Sequence, residues 1–163
     1  MKIVRPTAEP SRDPRPLPIQ EAVRDTLGDL LGRTCSVSKA ASPTEVAFLG
    51  VFSDKNGNTV AGLGGDFAFS AFSAAALAMV PPGTAREQVE AQELDETLKE
   101  CFYEVTNVLS RLFNGESVSH LKLTALVEGS DPRVRELESG ASRHFDVLID
   151  GYGHARVGLF AIG

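Results

Sequence analysis

The sequence predicts one α/β domain in which a helix followed by three strands occurs twice, the strands forming a mainly antiparallel sheet with long helices packed on it. Three observations carry this. Two amphipathic stretches at helical spacing each precede three short strand-like segments. An Asn56-Gly57 pair and a Gly151-Tyr152-Gly153-His154 turn each join the last two strands of a set into a hairpin. The 163 residues, 42% of them hydrophobic, suffice for one core rather than two.

Five of the nine prolines fall at or before Pro18, among charges and almost no large apolar groups, so residues 1–17 are expected to be a disordered Pro-rich tail and 18–163 the single domain. From Pro18, Ile19, Val23, Leu27, Leu30 and Leu31 recur at helical spacing until Gly32. Strands are expected at 34–39, 46–53 and 59–64, the last two joined through Lys55-Asn56-Gly57-Asn58. Asp66 is placed to cap a buried helix over 67–79 that Pro81 and Pro82 stop. Thr84 and Glu87 have capping-box spacing and open a polar helical approach. The longest helix is drawn from Leu94 to Phe113, closing at Asn114-Gly115. Strands at 120–128, 143–150 and 155–162 complete the second round, with a polar loop over 129–142. A shift of about 79 residues lays Ile19, Val23 and Leu30 over Leu98, Phe102 and Leu109, which suggests an internal duplication.

Charge and composition exclude several classes. Sixteen Lys and Arg against 22 Asp and Glu leave a net charge of -6, opposed to binding a phosphate backbone, so no nucleic-acid partner is expected. The most apolar run, 67–80, is far short of a span of about 20 residues, so no membrane partner is expected. Cys35 and Cys101 lack paired spacing and suit reduced thiols in a cytoplasm. His120, His144 and His154 have no ligand at metal-site spacing, so no metal is expected on this chain. Gly62-Leu63-Gly64-Gly65 lacks the further glycine and Lys-Ser/Thr of a phosphate loop and reads as close strand packing.

On the long helix, Leu94, Leu98, Phe102, Val105, Leu109 and Leu112 share one apolar half. Glu100, Glu104, Asn107 and Arg111 then lie within about 60° of one another on the opposite side. A solvated charged face explains the glutamates and the arginine; Asn107 is a mediocre helix-interior residue and asks for a reason.

The run Glu104-Val105-Thr106-Asn107-Val108-Leu109, followed by a strand ending Leu126-Val127-Glu128-Gly129, resembles the Glu-x-x-Asn helix of the CheC/CheX/FliY family of chemotaxis phosphatases. The resemblance spans roughly residues 18–162. It implies a two-component signalling hydrolase that removes the aspartyl phosphate of a CheY-like response-regulator receiver, with Mg2+ carried by the receiver and none bound by this chain. Asn107 would position the attacking water and Glu104 would pair with a receiver lysine, as the catalytic pair; Glu100 and Arg111 would flank them as partner contacts. Arg111 stands where the family usually has a small residue, and at i+4 a long cation can fold over Asn107. Helix one has Asp25-x-x-Gly28 at the matching place, and glycine carries no amide, so the pattern is similar to single-motif CheX-like proteins, for which a homodimer is inferred. The alternative under the same resemblance is a non-catalytic interaction module, similar in role to the flagellar switch proteins FliM and FliN.

Overall fold

The computed structural model describes residues 16–114 and 120–162. The elements run α1 (Gln20–Leu31), β1 (Cys35–Lys39), β2 (Phe48–Ser53), β3 (Thr59–Gly65), α2 (Phe67–Ala78), α3 (Pro82–Ala91), α4 (Glu96–Leu109), β4 (Lys122–Glu128), α5 (Pro132–Glu138), β5 (Ala141–Ile149) and β6 (Gly153–Ala161). All six strands form one open sheet in the order β1-β5-β6-β3-β2-β4, and every pairing is antiparallel. Exchanging the first three strands with the last three only reverses this order. In strand order the two halves are thus copies about an axis between β3 and β6, as the repeated helix-strand-hairpin pattern implied, while among the described residues α2, α3 and α5 have no counterparts in the other half. The single strand of each half does not join its own hairpin: β1 pairs with β5, and β4 with β2.

Local chemistry explains the boundaries. Gly32 ends α1 at φ +66°, in the left-handed region that glycine enters without a Cβ penalty. In the β2–β3 turn Gly57 takes φ +84° and the Asp54 carboxylate accepts from the Asn56 and Asn58 amides. Asp66 caps α2 by accepting from the Phe69 amide at 2.7 Å and also receives the Arg156 amide of β6 at 3.2 Å, which ties the helix to the sheet. Burial pushes its carboxyl above the usual range, against the lowering effect of those amides.

One face of the sheet carries α1, α2 and α4. Val23, Leu27, Phe69, Phe72, Phe102 and Leu109 meet Val37, Phe52, Leu63, Val147 and Leu159 there in the main core. α2 is buried along most of its length, and its Ser70 and Ser73 hydroxyls are satisfied by the Asp66 and Phe69 carbonyls one turn back. The opposite face is covered by α5 where β3 and β6 run, and Val134 and Leu137 join Leu49, Val51, Val127 and Phe160 in a second cluster. Glycines on β3 permit these approaches: a Cβ on Gly62 would sit 2.7 Å from Leu137, and one on Gly65 2.7 Å from Phe69.

Four expectations are corrected. α3 begins at Pro82, which suits a first helical position because it has no amide to leave unpaired, so Thr84 lies inside the helix and caps nothing. The long helix starts at Glu96 behind the Asp95 cap, and its α-helical part stops at Leu109; 110–113 continue as a 3-10 turn, and the expected Gly115 cap lies outside the described residues. The polar 129–142 loop contains α5, started by the Asp131 cap before Pro132. Ile19, placed on the buried side of helix one, is 55% exposed because α1 begins only after it. Residues 1–15 of the expected tail also lie outside the described residues, while Leu17 packs on the core and its carbonyl accepts from Arg143 Nη1.

Candidate functional site

α4 is set rigidly at its start. The Asp95 carboxylate accepts from the Leu98 amide, and Gln88 of α3 holds Asp95 from both sides, donating to its carboxylate at 2.8 Å and accepting its amide at 2.9 Å. Leu98, Phe102, Val105, Thr106 and Leu109 point inward, with Phe102 edge-on to Phe69 at 6.0 Å. Thr106 is fully buried over Gly50 of β2, where an added Cβ would lie 2.8 Å from the Thr106 Cβ. The sheet thus accepts the helix closely beside Asn107. Ser110 Oγ donates to the Asn107 carbonyl at 2.6 Å and satisfies one of the free acceptors at the helix end.

With that side fixed, Glu100, Glu104, Asn107 and Arg111 are all exposed. Among the described residues none of their side chains makes a hydrogen bond or an ion pair within the chain. Glu104 and Asn107 are three residues apart on the regular part of α4, a rise of about 4.5 Å on neighbouring tracks. Arg111 belongs to the 3-10 turn, so the α-helical i+4 relation to Asn107 does not hold. Two of the four steps between them turn by about 120° rather than 100°, carrying Arg111 roughly 40° further round than the regular helix would.

Helix one offers no second pair. Asp25 is joined to Arg24 at 3.0 Å, and Gly28 is half-buried with its carbonyl accepting from Gly32. Cys101, beside the stripe, is half-buried, and its thiol is pushed up by burial, then by Glu100, Asp95 and Glu104, which keeps it protonated and a poor nucleophile.

Sequence reasoning missed the neighbour of the stripe across the sheet. A shallow cleft of about 570 Å³ runs between α4 and the edge strand β4, lined by Lys99, Glu100, Tyr103, Glu104 and Leu126. Helical spacing could have found Tyr103, one turn before Asn107; Leu126 needed the β2–β4 register, which sets it opposite Gly50. A second cavity of about 540 Å³, lined by Lys39, Pro43, Arg143 and Phe145 among others, belongs to the β1–β2 connection and shares no residue with the stripe.

No family model matches the sequence, and no curated protein does. Solved structures do share the fold. FliM in the Helicobacter pylori FliM–SpeE complex superposes with a TM-score of 0.58 at 8% identity, over 88% of this chain and 81% of that one. The CheX–CheY–BeF3–Mg2+ complex of Borrelia burgdorferi gives 0.52 at 13% identity, over 88% and 94%. Thermotoga maritima FliY gives 0.50 at 16% identity, over 85% and 82%. The architecture is therefore the one shared by CheX, FliY and the FliM middle domain, the fold the sequence resemblance implied. At these identities the likeness shows the fold.

Proposed function

We propose that the protein is a phosphatase for the aspartyl phosphate of a CheY-like receiver domain, with Asn107 and Glu104 as its working residues. The observation that carries this is the exposed, unpartnered Glu104 and Asn107 pair, one helical turn apart on the face of α4 turned away from the core. A charged surface pair does not explain an asparagine inside a helix at that place. The fold shared with a CheX found in complex with CheY supports the same partner.

In this reading water attacks phosphorus in line. The bond from phosphorus to the receiver's aspartyl oxygen breaks with its electron pair on the aspartate, and the water's proton leaves to solvent or phosphate. The Asn107 amide oxygen accepts one water hydrogen and orients the attacking lone pair. Glu104 pairs with a receiver lysine and holds the two proteins in register. Glu100 and Arg111 flank this contact. The magnesium ion is the receiver's, and among the described residues no three His, Cys, Asp or Glu side chains of this chain group to hold one. A homodimer goes with the same resemblance, and the outer edges of β1 and β4 are the places open to it.

The second reading, a non-catalytic docking module, is favoured by the FliM structures, which superpose with TM-scores of 0.58 and 0.55. Steady-state phosphate release from phosphorylated receivers separates the two. Asn107→Ala is expected to lower kcat by about 10²- to 10³-fold with receiver binding kept, and Glu104→Ala to weaken binding. Binding of a receiver with no turnover by the wild type selects the docking module.

A further inference from the structure

We infer that Tyr103 and Leu126 form an apolar anchor for the receiver, in a cleft that adjoins the working pair and includes Glu104 on its rim. The inference rests on the proposed phosphatase reading and adds to it an apolar docking site.

The geometry is continuous with the working pair. At 100° per residue Tyr103 lies about 40° from Asn107, on the side away from Glu104. The residue is 39% exposed, and its hydroxyl makes no hydrogen bond among the described residues. Leu126 comes up on the same side of the sheet because β4 pairs Leu126 with Gly50, the glycine over which Thr106 is seated. Tyr103 and Leu126 together line the cleft. β4 is an edge strand, so among the described residues no further strand of this chain closes this side.

Charge commits the cleft to one kind of occupant. Its rim carries Glu100 and Glu104, and its single cation, Lys99, lies 3.8 Å from Glu96. An apolar floor with an acidic rim suits a surface that presents an apolar side chain next to a lysine or arginine. The receiver lysine assigned to Glu104 requires such a cation close to the phosphorylation site. An exposed tyrosine gives large contact area for little lost side-chain freedom, and such residues dominate interface energies. The acid contacts at the open rim steer the encounter and contribute less to affinity.

The test uses the full chain and a panel of receiver domains from the same source, each activated with beryllofluoride and Mg2+. Binding is read by fluorescence anisotropy on these beryllofluoride forms, and turnover by phosphate release from the same receivers carrying the aspartyl phosphate instead. Tyr103→Ala is expected to weaken binding of the cognate receiver about tenfold and to raise KM by a similar factor, with kcat falling less than twofold. Tyr103→Phe is expected to bind within twofold of wild type, and Leu126→Ala to weaken binding about threefold; far-UV circular dichroism confirms that each variant is folded. Wild-type turnover with an unchanged KM in Tyr103→Ala overturns the anchor and leaves the phosphatase reading standing. Wild-type binding without turnover overturns the phosphatase reading, and loss of binding in Tyr103→Ala then still supports the anchor. If no receiver binds, both fail. If Tyr103→Ala instead turns a dimer into a monomer in sedimentation while receiver binding is unchanged, the cleft is an interface between two copies and the inference is wrong.

Discussion

His144 shows how one side chain can make the fold depend on pH. Its Nδ1 accepts both the Thr44 amide at 3.0 Å and the Thr44 hydroxyl at 2.8 Å, which places the ring proton on Nε2 and pins the β1–β2 connection to β5. Burial lowers its pKa, partly offset by Glu138 and reinforced by Arg156. The unfolded chain therefore takes up this proton first, at about pH 6.5, while the folded ring stays neutral. Stability from this group is complete above that pH and falls on acidification until the lowered folded value is passed. Melting temperatures measured between pH 7.5 and 5.5 should fall more steeply for the wild type than for His144→Gln; equal slopes would show that the ring is not held neutral. Protonation at Nδ1 would also set two donors, the ring N–H and the Thr44 amide, against each other.

At the scale of elements, the site depends on how close α4 comes to the sheet. Gly50→Ala puts a Cβ 2.8 Å from the Thr106 Cβ, and neither the β2 backbone nor the buried threonine has room to yield. Overpacking of this kind costs about 1–3 kcal/mol, so the urea midpoint should fall and receiver turnover should drop with it, since Asn107 is the next residue on the helix. An unchanged midpoint would mean that α4 is not seated on Gly50. The helices and hairpins were legible from local chemistry because their signals are local: Gly32, Asn56-Gly57, Asp66 and the Pro81-Pro82 stop each act within a few residues. The exposed stripe was legible for the same reason, since Leu98, Phe102, Val105 and Leu109 define the inward half of α4. What was not legible came from competition or distance. Pro82 took the helix start that the Thr84 spacing suggested, and α5 was hidden because its two core contacts, Val134 and Leu137, are too few to make a periodic pattern. The end of α4 at Leu109 was masked by Leu112 and Phe113, which continue the apolar face through the 3-10 turn. Tyr103 joins a cleft only through Leu126 on a distant strand.

For the whole molecule, the exchange of strands between halves has a mechanical consequence. β1 has its ladder partner β5 in the second half, and β4 has β2 in the first, so neither half can complete its hydrogen bonding alone. Unfolding should be a single transition, with far-UV circular dichroism and tyrosine fluorescence coincident in urea; two separated transitions would contradict a shared core. The same arrangement holds α4 against β2 and β4 together, so the exposed face that carries Glu104 and Asn107 is set by both halves.

The central claim is that this face catalyses the loss of a receiver's aspartyl phosphate, and the most direct measurement is the single-turnover decay of phosphorylated receiver domains. Each is followed alone, with the wild-type protein and with Asn107→Ala at equal concentration. A phosphatase that works through Asn107 gives faster decay of at least one receiver with the wild type and loses about 10²- to 10³-fold of that acceleration in Asn107→Ala. Decay that no receiver shows accelerated, or acceleration that Asn107→Ala retains in full, would contradict it.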